Sequence, residues 1–205
     1  MTPPGEVRHA DVVGIVPAAG RSARIGSPKA LLNADGPNFV TRVVGTLLQG
    51  GCSQVRVVVR EDPGVVSAAA QQAGADIRVQ SSPDDPITGG LQGAIGAAVA
   101  DLSPDSLVVV LPVDHPLVIA PTVRALIDAA RDAVTSNAGA VVTPRHASKL
   151  GWPRVAPVAG AASIMEPAAP LSLEVTDRGV VRDIDTLADY RRAFPQAWRK
   201  RFHAR

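Results

Sequence analysis

The chain has 205 residues, is 46% apolar and 20% charged, and contains one cysteine, Cys52. So apolar a composition excludes a disordered chain, and a lone cysteine excludes an internal disulfide framework. The net charge of +2 resides at the end of the chain: residues 191–205 hold six Lys or Arg and no acidic residue, leaving 15 basic against 19 acidic elsewhere, so the body is mildly acidic and lacks the clustered basic face of a nucleic-acid binder.

Residues 1–11 read as an N-terminal extension without the apolar core of a signal peptide, and a soluble, cytoplasmic protein is the expectation. Val12 to Val16 is a β-branched run of the kind found in strands buried on both faces. Phe39 to Leu48 has helical spacing and is closed by Gly50-Gly51. Val55 to Val59 reads as a strand, Val65 to Ala73 as an Ala-rich helix ended by Gly74, and Asp76 to Val79 as a short strand. Leu91 to Ala100 is helical. Leu107 to Leu111 is the most apolar strand, and the apolar stretch around it, broken by Pro112, Asp114, His115 and Pro116, is far short of the ~20 residues needed to span a bilayer. Pro121 to Val134 is a helix with proline at its start, and Ala140 to Thr143 a strand. This alternation predicts an α/β fold, a mostly parallel sheet with helices on both faces.

After Thr143 the pattern weakens. Pro153 to Val158, Leu171 to Val175 and Val180 to Arg182 are candidate short strands, and Thr186 to Arg192 a helix capped near Asp185-Thr186. Phe194, Trp198 and Phe202 recur every four residues on a basic tail helix at 193–205, an aromatic stripe expected to pack on the body or on a second copy. The division is thus an extension at 1–11, one domain at 12–192, and the tail.

Ligands of open parallel sheets bind outside the carboxyl ends of the strands. The loop after the first strand reads Pro17-Ala18-Ala19-Gly20-Arg21-Ser22-Ala23-Arg24-Ile25-Gly26-Ser27-Pro28-Lys29. Its spacing fits neither a dinucleotide fingerprint nor a Walker A loop. It has the ingredients of a phosphate cradle nonetheless: small residues that let the backbone approach an anion, and three cations in nine residues. Lys29 is one of only three lysines in an arginine-rich chain, a compact point charge where the chain otherwise prefers a planar fork. A solvated Gly-rich turn is the plain alternative.

The run Ala18-Ala19-Gly20-x-Ser22-x-Arg24-x-Gly26-x-x-Lys29 resembles the signature A-A-G-x-S-x-R-x-G-x-x-K of the MobA-like nucleotidyltransferases. The resemblance continues through Leu111-Pro112-Val113-Asp114-His115-Pro116-Leu117, similar to the family's D-x-P motif, and returns at Asp183-Ile184-Asp185-Thr186-Leu187-Ala188-Asp189-Tyr190. It implies a Rossmann-like, three-layer fold of the glycosyltransferase-A type and transfer of a nucleoside monophosphate from an NTP to an acceptor phosphate, with release of pyrophosphate. It also implies that Arg24 and Lys29 hold the triphosphate and that Asp114 and Asp185 bind Mg²⁺ or Mn²⁺. Ala18, Ala19, Gly20, Arg21, Ser22, Gly26, Thr88, Gly89 and Gly90 would complete the nucleotide site, the Ser82 to Gly93 loop meeting the base.

Asp114, after a rigid strand and beside Pro116, has the alternative of a turn residue, and Asp185 that of a helix cap. A-A-G is the form seen in cytidylyltransferases, where guanylyltransferases more often show A-G-G, so CTP is expected over GTP and molybdopterin is the first acceptor. Gly151-Trp152-Pro153 departs from the G-H-P of that branch, and the stretch from Pro153 to Glu174 is short. A sugar- or other small-phosphate nucleotidyltransferase, a molybdopterin guanylyltransferase and a non-catalytic nucleotide binder are the other readings. The partners expected are an NTP and a phosphorylated small molecule, with no nucleic acid and no membrane, for a monomer or homodimer.

Overall fold

Strand β1 (Val12–Pro17), buried over its first five residues, lies inside an eight-stranded sheet. The structure, a computed structural model, describes residues 11–20, 26–60, 64–81, 89–135 and 141–203. β1 pairs in parallel with β2 (Gln54–Val59), and β2 with β3 (Asp76–Val79). On its other edge β1 pairs in parallel with β4 (Leu107–Val110). The order β3-β2-β1-β4 reverses direction between β1 and β4, which opens a crevice at their carboxyl ends.

Three helices connect these strands: α1 (Phe39–Gly50), α2 (Gly64–Gln72) and α3 (Gly90–Val99). The Asn38 carboxamide accepts from Thr41 N–H to start α1, and Gly51, at φ 111°, ends it in the left-handed conformation that glycine adopts without a Cβ clash. Side chains of β4 alternate. Leu107, Val109 and Leu111 join the core under α1 and α4 (Ala120–Thr135), whereas Val108 and Val110 face α3. β1, β2 and β4 thus each supply two cores, and the layers are helix, sheet, helix. Cys52 belongs to the first, where burial pushes its thiol up to about 12.

The simple β-α-β order holds through β4 and then changes. β5 (Val142–His146) is not the next neighbour of β4, because β7 (Arg154–Pro157) inserts between them, antiparallel to both. β6 (Lys149–Leu150) forms a hairpin with β5, and β8 (Leu171–Glu174) pairs with β5 in parallel. The strand expected at 140–143 starts at Val142, and residue 140 is outside the described residues. The strand expected at 180–182 does not form: Arg178–Val181 is a 3-10 turn. Its cause is tertiary. Gly179 presses on the Leu117 carbonyl so closely that a Cβ there would lie 2.3 Å from the oxygen, and Asp177 caps the turn through Gly179 N–H at 2.8 Å.

The chain closes with α5 (Leu187–Ala193), started by a reciprocal Thr186–Asp189 capping box, and α6 (Pro195–His203). The aromatic stripe packs on the body: Phe194 is buried with its ring 5.3 Å from Phe39, and Trp198 meets Tyr190 edge-on. Phe202 is exposed and stacks on Trp198. Phe194→Ala is expected to cost about 3–5 kcal/mol in urea unfolding, as for other buried Phe truncations; a loss below about 1 kcal/mol would remove the tail from the core. Among the described residues no helix is long and apolar enough to cross a membrane.

Candidate functional site

The crevice between β1 and β4 gathers three charged side chains from distant parts of the sequence. Lys29 opens a 3-10 turn (Lys29–Leu31) behind the first loop. Its ammonium lies 3.3 Å from Asp114 Oδ2 and donates a closer hydrogen bond to Asp185 Oδ1. The side chains are 16%, 29% and 38% exposed respectively, so a ligand can reach them while water screens them only in part.

Asp114 stands at the end of the most buried strand. Leu111 N–H donates to Ile15 O, and Val113 N–H reaches Pro17 O. Asp185 comes from near the end of the chain, and Ile184 N–H donates to the backbone oxygen of Asp114 at 2.8 Å to hold the two segments together. Asp177 braces the same region. One of its oxygens accepts from Ile119 N–H and the Thr122 hydroxyl at the start of α4, the other from Gly179 N–H. Gly151 lets this strap lie flat on the sheet: a Cβ there would sit 2.1 Å from Val180 O.

Two spaces adjoin Asp114. One, of about 280 Å³, is bounded by Pro17, Ala19 and Gly20 on one side and by Gly90, Leu91 and Ala94 on the other, with Arg60, Gln80, Pro112 and Asp114 between. The second, of about 140 Å³, lies toward Ala18, Pro28 and Lys29 and shares Pro17, Gly20 and Asp114 with the first. Among the described residues nothing stands within 4 Å of where a Cβ would project from Gly20 or Gly90. A flat group therefore fits against backbone on both sides of the larger space, and an anionic group fits beside Lys29 in the smaller.

Of the residues singled out in the sequence, Ala18, Ala19, Gly20, Lys29, Gly90 and Asp114 line these spaces, and Asp185 joins them through Lys29. Gly89 is the N-cap of α3, and Gly90 follows at φ 61°. Gly26, exposed and at φ 73°, lines neither space. Arg21, Ser22, Arg24 and Thr88 lie outside the described residues. His115 is buried beside Asp114, and burial holds its imidazole below the ordinary histidine range. His146 holds the Val175 carbonyl and lines neither space. Trp152 is half-buried against both cores, with the Arg154 guanidinium 4.5 Å from its ring.

Three residues escaped the sequence reading. Arg60 and Gln80 immediately follow β2 and β3, at the carboxyl edge where sheet ligands bind. Arg60 donates to Ala19 O at 2.7 Å and so fixes the first loop. A polar residue directly after a strand, at the edge where sheet ligands bind, was the available signal. The bracing of α4 by Asp177 had none, since Ile119 and Thr122 are 58 and 55 residues away.

Two carboxylates sharing one cation at a mouth lined by backbone suit a hard divalent ion together with phosphate oxygens. Among the described residues no cluster of three or more His, Cys, Asp or Glu surrounds a metal position. An ion here would therefore complete its shell with water and ligand oxygens, the usual habit of Mg²⁺.

The family description "MobA-like NTP transferase domain" matches residues 14–187. Among solved structures, Rv0371c from Mycobacterium tuberculosis H37Rv superposes with a TM-score of 0.70 at 24% identity, over 91% of this chain and 98% of that one. The complex of Rv0371c with manganese gives 0.68 at 22%, over 91% and 100%. CMP:2-keto-3-deoxy-manno-octonic acid synthetase complexed with CTP gives 0.71 at 16%, over 91% and 98%. At these identities the likeness shows a shared fold. No curated protein matches the chain.

Proposed function

This chain belongs to the MobA-like NTP transferase family and is a nucleotidyltransferase acting on an NTP, and we propose that it transfers the CMP moiety of CTP to the phosphate of molybdopterin. The observation that carries the reading is the meeting of Lys29, Asp114 and Asp185 at the crevice between β1 and β4. Transfer of this kind joins two anions. An oxygen of the acceptor phosphate attacks the α-phosphorus, the bond from that phosphorus to the β-phosphate oxygen breaks, and pyrophosphate leaves with the electron pair. The acceptor is already anionic near neutral pH, so the barrier calls for cations and positioning rather than a strong base.

In this scheme the Lys29 ammonium binds non-bridging phosphate oxygens as a point charge. Arg24 is the second cation of this reading, and the Ala18–Gly20 backbone approaches the phosphates. Asp114 and Asp185 would hold Mg²⁺ or Mn²⁺, which when bound neutralises charge building on the pyrophosphate. The base lies between Ala19–Gly20 and Gly89–Gly90. Residues 12–192 form the catalytic domain, with 1–11 as extension and 193–205 as the basic tail, and the reaction is placed in the cytoplasm.

The A-A-G form of the first motif supports CTP over GTP, and one fold neighbour is complexed with CTP. The Ala19 methyl crowds a purine more than a pyrimidine, a selection worth only ~1–3 kcal/mol. Ala19→Gly is therefore expected to shift the kcat/KM ratio of CTP to GTP toward GTP by about tenfold, with catalysis retained. A wild type that favours GTP would replace the cytidylyl reading with a guanylyl one. A second acceptor class, a sugar or other small phosphate, is favoured by one observation: Trp152 stands where the cytidylyl branch carries histidine, and Arg154 already covers its ring. Offering CTP with molybdopterin or with phosphorylated sugars, and identifying the product by mass, decides between the two.

A further inference from the structure

Gln80 is the most deeply buried polar side chain lining the larger space, at 3% exposed. Its backbone N–H continues the sheet by donating to Val59 O at 2.9 Å, so its Cα is held as firmly as a strand residue. Its Nε2 donates to Gly90 O at 3.0 Å, at the first residue of α3. That bond settles which way the amide faces, because the reversed amide would set oxygen against oxygen. Oε1 is consequently an acceptor, and among the described residues it is buried without a hydrogen-bond partner. An acceptor left in that condition costs stability, and few are tolerated unless a ligand or water completes them.

The surroundings describe what would complete it. Gly20 and Gly90 both border the space with open room against their backbones, a slot suited to a flat ring. Gln80 stands between them, tied to the Gly90 side. A ring in the slot presents its edge to the Gln80 carboxamide, and a small rotation about the Nε2–H to Gly90 bond turns Oε1 toward it. An acceptor fixed in this way pairs with a donor and rejects another acceptor.

We propose that Gln80 reads the nucleobase, its Oε1 accepting a hydrogen bond from the exocyclic amine of cytosine. The inference rests on the cytidylyl reading above and adds the residue that tells cytosine from uracil. Uracil places a carbonyl oxygen where cytosine places its amine, and would leave Oε1 buried and unpaired. Arg60, bordering the same space, fixes the Ala19 side of the slot through its bond to the Ala19 carbonyl.

Nucleotide binding tests this without an acceptor substrate. Calorimetric titration of the full chain in Mg²⁺ compares CTP, UTP and the pyrimidin-2-one ribonucleoside triphosphate, which lacks the 4-amino group. Wild type is expected to bind CTP at least ~10-fold more tightly than either. Gln80→Met, similar in length but without an acceptor, is expected to bring the three affinities within about twofold of one another, retaining triphosphate binding and an unchanged melting profile. Equal affinities in wild type overturn the proposal, and this comparison needs no variant to fold. A wild-type preference for CTP that persists in folded Gln80→Met overturns the role of Gln80 while leaving the cytidylyl reading in place. A wild type that prefers GTP, or binds no nucleotide, removes the cytidylyl reading and the proposal with it.

Discussion

Asp114→Asn is expected to reduce metal-dependent nucleotidyl transfer by at least ~10²-fold, the scale of losing one charge-stabilising group from a partly dry site. The change is nearly isosteric. The backbone oxygen of Asp114 that accepts from Ile184 N–H is untouched, so the strap carrying Asp185 stays in place. What changes is the charge: the ammonium of Lys29 faces an amide in place of one of its two carboxylates, and a neutral oxygen is a poor ligand for a hard divalent ion. Pyrophosphate release at saturating NTP and Mg²⁺ gives the loss, and an unchanged melting profile shows that it is chemical. Wild-type turnover in Asp114→Asn would remove Asp114 from the metal-binding role.

Lys29→Ala is expected to lower kcat/KM for the NTP by about 10²-fold, with weaker nucleotide binding among the causes. The substitution leaves Asp114 and Asp185 close together with their shared cation gone, so the field at the mouth turns against an incoming triphosphate. Lys29→Arg is expected to recover only part of the loss. A planar fork one atom longer cannot occupy the place of a compact ammonium between two carboxylates. NTP affinity by calorimetry separates binding from catalysis in both variants. Unchanged affinity in Lys29→Ala would move the phosphate cradle elsewhere in the fold.

These effects concern residues 85 and 156 positions apart from Lys29 that the fold brings to one point. Their positions in the sequence were legible because each sits in a short motif at a strand or helix end: Lys29 after the first loop, Asp114 after the apolar strand, Asp185 beside the Thr186 cap. The strands through β4 and the helices among them were legible for a related reason. Their periodicity is local, and it agrees with the cores they build, as the alternation of Leu107, Val108, Val109 and Val110 shows.

The last third was harder to read because its structure is decided by distant contacts. β7 is a four-residue segment whose place between β4 and β5 depends on pairing with both. Val180 has strand propensity, yet its segment turns because Gly179 lies on Leu117 and Asp177 caps it. Gln80 carries little local signal of its own. Its burial, its bond to Gly90 and its unpaired oxygen exist only once β3 and α3 are packed.

Pyrophosphate release reports on metal-assisted nucleotidyl transfer at the crevice between β1 and β4 without a label on either substrate. The full chain is incubated with each NTP in turn, with Mg²⁺ or with chelator, and with molybdopterin and a panel of phosphorylated sugars and alditols. Release is expected with CTP ahead of the other nucleotides, dependent on both metal and acceptor, and reduced to a trace in Asp114→Asn. Release that is indifferent to the metal or undiminished in Asp114→Asn, or no release with any NTP and acceptor, would contradict it.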